Sequence, residues 1–186
     1  MSLTTLDPNA ALIVIDLQKG IVAYPAVHPI GEVVQRSRSL ADAFRQRGLP
    51  VVLVNVTGVA PGRTERSHSL EGLPADWADL VPELNAQPDD VLITKRTWGA
   101  FTNTDLEARL KALGVTQIVL AGVATSVGVE STARHAYELG FNVTLAVDAM
   151  TDMRREAHDD SIAHVFPRLG ETGTTREVVD LLGKRS

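Results

Sequence analysis

The 186-residue chain contains no cysteine. That excludes disulfides, thiolate metal sites and any cysteine nucleophile. It also lacks an excess of positive charge: 18 Lys and Arg stand against 23 Asp and Glu, for a formal net charge of −5. Such a chain has no surplus of cations to neutralise phosphates, so no nucleic-acid partner is expected. Apolar runs such as Val51 to Val56 fall far short of the roughly 20 residues that cross a bilayer, so no membrane partner is expected either. Met1 to Asn9 shows no basic stretch followed by an apolar one, so no secretory signal is read and the cytoplasm is the expected location.

What is present is ordinary globular material. The chain is 44% hydrophobic and long enough to bury a sizeable core, which suits one domain over residues 1–186. Short β-branched runs at Ala11 to Leu17, Val51 to Val56, Val91 to Thr94, Gln117 to Gly122 and Val143 to Val147 read as buried strands. Helical patterns lie between and after them, at Ile30 to Arg47, Asp105 to Leu113, Ser126 to Leu139, Arg154 to Val165 and Thr175 to Leu182. Thr104 with Glu107, and Thr174 with Glu177, carry the spacing of capping boxes. Leu113 and Tyr137 are read on the inward faces of their helices. Strand alternating with helix predicts a parallel sheet with right-handed crossovers. The expected fold class is α/β, a three-layer Rossmann-like sandwich around a mostly parallel sheet of about six strands, the sixth a short one near Glu171.

Thr57 to Asp90 interrupts that alternation with Pro61, Gly62, Gly72, Pro74, Pro82 and Pro88. A loop this long covers a binding site, packs on a partner subunit, or does both. Arg63, Arg66 and His68 within it are solvated or greet an anionic substrate, and Trp77 is a candidate exposed contact.

The carboxyl ends of parallel strands are where such folds bind ligands. Asp16 closes the first strand, where it caps a turn or faces a ligand. Lys95 follows the third strand, solvated or placed to hold a developing negative charge. Trp98 and Phe101 pack in the core or line a pocket. At Val119 to Arg134 a strand passes directly into a helix whose first turn contains Gly128, although glycine costs about 1 kcal/mol against alanine inside a helix. The backbone N–H groups of Thr125 to Gly128 are candidates for an oxyanion or carboxylate site. Ser126 is a helix cap or, less simply, a nucleophile. The five histidines are scattered, and His158 and His164 lie on different faces of one helix.

The segment VLAGVATSVGVESTAR, with ALIVIDLQKG (11–20), ITKRTWGAFTNTDLEARLKALGV (93–115) and AYELGFNVTLAVDAMTD (136–152), resembles the isochorismatase-like hydrolases, or cysteine hydrolase superfamily. The resemblance covers nearly the whole chain. It implies that Asp16 is the catalytic acid or base, that Gln18 is its companion and that Lys95 is its catalytic partner. It implies that Trp98, Phe101, Val123, Ala124, Thr125 and Ser126 bind substrate, and that the Val123–Ala124 peptide bond is cis. The family's cysteine nucleophile falls at Gly128, so the thioester route is closed. True isochorismatases also lack that cysteine; they protonate a vinyl ether and let water attack. The metal-binding nicotinamidases carry Asp-x-His where this chain reads Asn55-Val56-Thr57-Gly58, so no metal and no cofactor is expected. Asp148 and Asp152 are read as loop-holding residues. The expected partner is a small molecule, with carboxylated ones among the candidates, and the resemblance implies a homodimer or homotetramer. The resulting expectation is a metal-independent hydrolase of a vinyl ether or C–N bond. A non-catalytic protein that keeps the pocket, and a Ser126-dependent amidohydrolase, are the alternatives.

Overall fold

The computed structural model describes residues 3–65 and 71–184. Six strands form one all-parallel sheet: β1 (Ala10–Ile15), β2 (Val51–Val56), β3 (Val91–Lys95), β4 (Gln117–Val123), β5 (Asn142–Thr151) and β6 (Glu171–Gly173). The order across the sheet is β3-β2-β1-β4-β5-β6. The helices are α1 (Lys19–Val22), α2 (Ile30–Gln46), α3 (Leu106–Ala112), α4 (Glu130–Glu138), α5 (Arg155–Asp160) and α6 (Thr175–Gly183). A π-helical turn, Thr125–Val129, runs straight into α4.

Strand periodicity divides the core into two layers. Ala10, Leu12 and Val14 of β1 pack with Val33, Leu40 and Phe44 of α2 and Val178 and Leu182 of α6. Ala11, Ile13 and Ile15 pack with Leu106 and Leu110 of α3 and Ala133 and Ala136 of α4. Every residue of β1 and β4 is buried, as a central strand covered on both faces requires. The chain turns outward from β1 in both directions, to β2 on one side and β4 on the other. That reversal opens a crevice at the carboxyl ends of β1 and β4.

Some local expectations fail, each for a visible reason. β3 is an edge strand and is not buried on both faces; Leu92 is 61% exposed. Leu113 falls at the end of α3 and Tyr137 on the outer face of α4, and both are exposed. The Thr104–Glu107 capping box does not form. Thr104 Oγ1 donates to the Ala100 carbonyl and Glu107 pairs with Lys111, so Asp105 takes the helix start without a side-chain cap. The box at Thr174–Glu177 does form, with Thr174 N–H donating to Glu177 at 2.7 Å and Glu177 N–H donating to Thr174 Oγ1 at 3.2 Å. The helix read over Arg154 to Val165 is α5 followed by a π turn, Ser161–Val165, and a 3-10 turn, Phe166–Arg168. β5 is ten residues long, because a bulge between Leu120 and Gly122 shifts the β4–β5 register and lets pairing continue to Thr151.

Gly122 sits at that bulge with φ +112°, and a Cβ there would lie 2.1 Å from the Ile15 carbonyl oxygen. Backbone strain and overpacking each cost about 1–3 kcal/mol. Gly122→Ala is therefore expected to lower the unfolding free energy by about 3 kcal/mol or more in urea denaturation. A loss under about 1 kcal/mol would contradict this close approach of β1 and β4.

Candidate active site

Asp16 is the first residue after β1 and adopts φ +49°, in the left-handed region where Asp and Asn are tolerated better than most side chains. Its backbone N–H still donates to Val54, so the turn starts from a fixed strand end. Lys95 is the last residue of β3. Its Nζ donates to Asp16 Oδ2 at 2.7 Å and to the Thr97 carbonyl at 3.1 Å. The lysine side chain is 2% exposed and the aspartate 8%. Asp16 Oδ1 is buried and has no hydrogen-bond partner among the described residues.

Two opposing effects act on this carboxyl. Burial disfavours its charged form, and the Lys95 ammonium favours it; burial is the larger, and the Asp16 pKa is pushed up to about 6.

Gly128 lies in the π turn that faces the pair. A Cβ built there would stand 3.4 Å from Asp16 Oδ2 and 2.9 Å from Ile15 Cγ2. The position expected for a nucleophile therefore opens directly onto the carboxylate, and the glycine leaves that space clear. The Val123–Ala124 peptide bond is cis, and both residues line the same cleft. The cleft encloses about 500 Å³ and is also lined by Asp16, Lys95, Thr97, Trp98 and Gly128.

The other expected binding residues stand behind this surface. Gln18 is fully buried; its amide joins β2 and the long loop to β1 by bonds to Val56 and the Trp77 carbonyl. Phe101 belongs to the core, against His135 and Phe141, and does not line the cleft. Thr125 is buried and hydrogen-bonded to His158 Nδ1 at 2.8 Å. Burial and the neighbouring His28 hold His158 below its ordinary pKa. Ser126 donates both its backbone N–H and its hydroxyl to Asp152 Oδ2, each at 2.8 Å. It is not the helix cap, since Ala124 holds that position. Asp152 supplies the capping oxygen instead. The Val127 N–H is likewise committed, to the Ala124 carbonyl. The expected anion site at this helix end has therefore lost two of its donors to the protein itself.

Asp148 accepts from the Thr175 N–H and hydroxyl, and Asp152 also accepts from the Met153 and Arg154 N–H groups; both hold loops. At the end of β2, Asn55 donates to the Ala78 carbonyl and accepts from Thr94, which commits its amide to structure. Among the described residues no three His, Cys, Asp or Glu side chains gather as metal ligands. No described helix is long and apolar enough to cross a membrane. Arg63 is exposed, while Arg66 and His68 lie outside the described residues.

Sequence reasoning missed Ile21, Tyr24, Val59, Leu73 and Met153, all of which line the cleft, and read Trp77 only as an exposed contact. It also missed Thr132, which accepts from the Ala100 N–H and donates to the Gly128 carbonyl, tying the Lys95–Phe101 segment to the π turn. Only the long Pro- and Gly-rich loop gave a signal for the wall formed by Val59, Leu73 and Trp77.

Residues 10–177 match the model of the isochorismatase domain. The chain belongs to the isochorismatase family of hydrolases. It is 41% identical over 179 residues to YwoC, an isochorismatase family protein of Bacillus subtilis, covering 92% of this chain and 93% of that one. It is 32% identical over 188 residues to the phenazine biosynthesis protein PhzD1 of Pseudomonas aeruginosa, covering 95% and 88%. An isochorismatase family structure from Burkholderia thailandensis superposes with a TM-score of 0.94 at 42% identity, over 98% of this chain and 100% of that one. In this family frame, Asp16, Lys95 and position 128 are the three sequence-expected catalytic positions, and the fold brings them together.

The raised ionisation of Asp16 has a thermodynamic consequence. The folded chain keeps this proton from the ordinary value of 3.8 up to about 6, so over that interval it binds more protons than the unfolded chain. Stability contributed by the protonated carboxyl is fully present below the unfolded value and is lost as the pH rises through about 6. The stability of wild type relative to Asp16→Asn should therefore fall on going from pH 4 to pH 7, by about 2 kcal/mol. Chemical denaturation at both pH values checks it; a difference that stays constant would contradict the raised ionisation.

Proposed function

We propose that this protein hydrolyses a small metabolite without metal or covalent intermediate, with Asp16 as the proton donor, Lys95 as its charge partner, and Gly128 in place of the family cysteine. One observation carries the reading: a buried Asp16–Lys95 pair with one carboxylate oxygen left over. Lys95 Nζ holds Oδ2, which leaves Oδ1 to carry the proton. A carboxyl lifted to about 6 by burial retains a useful protonated fraction near neutral pH, as a general acid must.

The steps follow from that arrangement. Asp16 gives its proton to the substrate, at the alkene carbon of a vinyl ether or at the departing atom of a C–N bond. Water adds to the electron-poor carbon this creates, and the adduct collapses: the C–O or C–N bond breaks, the alcohol or amine departs with a proton, and the carbonyl product remains. The surplus proton of that water returns to Asp16, so one water is consumed and the acid is restored. While Asp16 is ionised, the ammonium 2.7 Å away stabilises it, in a buried setting where such a pairing is stronger than in water. Gly128 leaves the face beside the carboxyl open for substrate or water. The commitment of Asn55 to Ala78 and Thr94 supports a route without a metal at the end of β2. Ser126 does not line the cleft, and its hydroxyl is turned to Asp152, a carboxylate that also holds the Ser126, Met153 and Arg154 N–H groups; both facts weigh against a serine nucleophile.

In a screen of vinyl ethers and small amides, Asp16→Asn should lower kcat/KM at least 100-fold, within the usual range for a general acid, with an unchanged circular-dichroism spectrum. Wild-type kcat/KM should fall as the pH rises through about 6, because the protonated carboxyl is the active form. Turnover that survives Asp16→Asn would remove the proposal.

Gly128→Cys, combined with Ile15→Ala to remove the Cγ2 that makes the 2.9 Å contact, should admit a thiol beside Asp16. Amidase activity with a trapped thioester is expected in that variant and absent in the wild type. A wild-type protein that already forms a covalent intermediate would contradict the role given to Gly128.

A further inference from the structure

We propose that the cleft selects an uncharged small molecule with a flat apolar face and discriminates against carboxylates; this deepens the reading of the cleft as the active site and rests on it. The walls point to the apolar face. Ile21, Tyr24, Leu73, Trp77, Trp98 and Met153 line the cleft. Tyr24, Trp98 and Met153 are 51%, 62% and 44% exposed, so large apolar groups stand uncovered around the opening. The Trp77 ring is fixed: a Cβ on Gly20 would lie 1.9 Å from it, so the glycine lets the indole lie flat on the backbone. A volume of about 500 Å³ is that of a small-molecule site rather than a peptide groove.

Charge decides the rest. Asp16 and Lys95 are the charged side chains that line the cleft among the described residues, and they face each other at 2.7 Å. Lys95 already donates to Asp16 and to the Thr97 carbonyl. The nearby helix start, a natural anion site, has its Ser126 N–H occupied by the buried carboxylate of Asp152. An entering carboxylate would lose its water, find the Lys95 ammonium already paired and no other cation among the described lining residues, and lie beside the Asp16 carboxylate. Above about pH 6, where Asp16 is ionised, an amide or hydroxyl would instead offer a donor to Oδ1, the one buried polar side-chain atom left without a partner among the described residues. The expectation of a carboxylated substrate is therefore the weaker one for this chain.

Trp77 and Trp98 are the chain's two tryptophans, and both line the cleft, so quenching of intrinsic fluorescence reads occupancy without turnover. Benzamide and benzoate share a shape and differ in charge. At pH 8 benzamide should bind at least tenfold more tightly than benzoate. Trp98→Ala should weaken benzamide binding at least fivefold while sedimentation velocity shows an unchanged assembly state. Benzoate binding as tightly as benzamide, or neither probe binding, would overturn the proposal. So would Trp98→Ala altering assembly while sparing benzamide, since the rim would then belong to a subunit interface. Because binding is read directly, lost selectivity leaves the acid role of Asp16 standing. Turnover that survives Asp16→Asn with selectivity intact removes only that role.

Discussion

The contact between Lys95 Nζ and Asp16 Oδ2 spans two strands that are not neighbours. β2 lies between β1 and β3, so the lysine crosses its end to reach the aspartate. A buried ion pair is weak evidence for stability, because removing two charges from water costs as much as their attraction returns. Its value here is positional. It fixes one oxygen of the carboxylate and leaves the other unpartnered, while burial outweighs the lysine and holds the ionisation at about 6. The rest of the site serves this pair. Gln18 and the main-chain bond to Val54 hold the end of β1, Thr132 ties the Lys95 segment to the π turn, and Gly128 keeps the space beside the pair open.

Much of the fold was legible because its signals are periodic and repeated. Five apolar runs alternating with helices specify a parallel sheet, and the short β6 near Glu171 completes it. Local capping was less legible. Thr104–Glu107 and Thr174–Glu177 have the same spacing, yet only the second forms a box, since the first threonine finds a carbonyl at Ala100. The choice depends on which acceptor the tertiary structure brings near, and spacing does not contain that information.

The site divides in the same way. Asp16, Lys95 and Gly128 sit at strand ends or a helix start, where topology dictates the direction they face. Gln18, Phe101, Thr125 and Ser126 lie within three residues of cleft residues in sequence, but their side chains turn into the protein and bond or pack there. The apolar wall was nearly invisible, because Ile21, Tyr24, Leu73 and Met153 belong to segments that share no motif and meet only in the folded chain. Asp152 illustrates the physical cost of that blindness. A helix start that looks ready for an anion already holds one, supplied from the end of β5.

The most direct measurement is the titration of Asp16 itself. Carboxyl carbon-13 shifts of aspartate-labelled protein, with the Asp16 resonance assigned by its loss in Asp16→Asn, report the ionisation without any substrate. A midpoint near pH 6 is expected. A midpoint at or below the ordinary aspartate value would mean that Lys95 outweighs burial, and would contradict Asp16 as the proton donor.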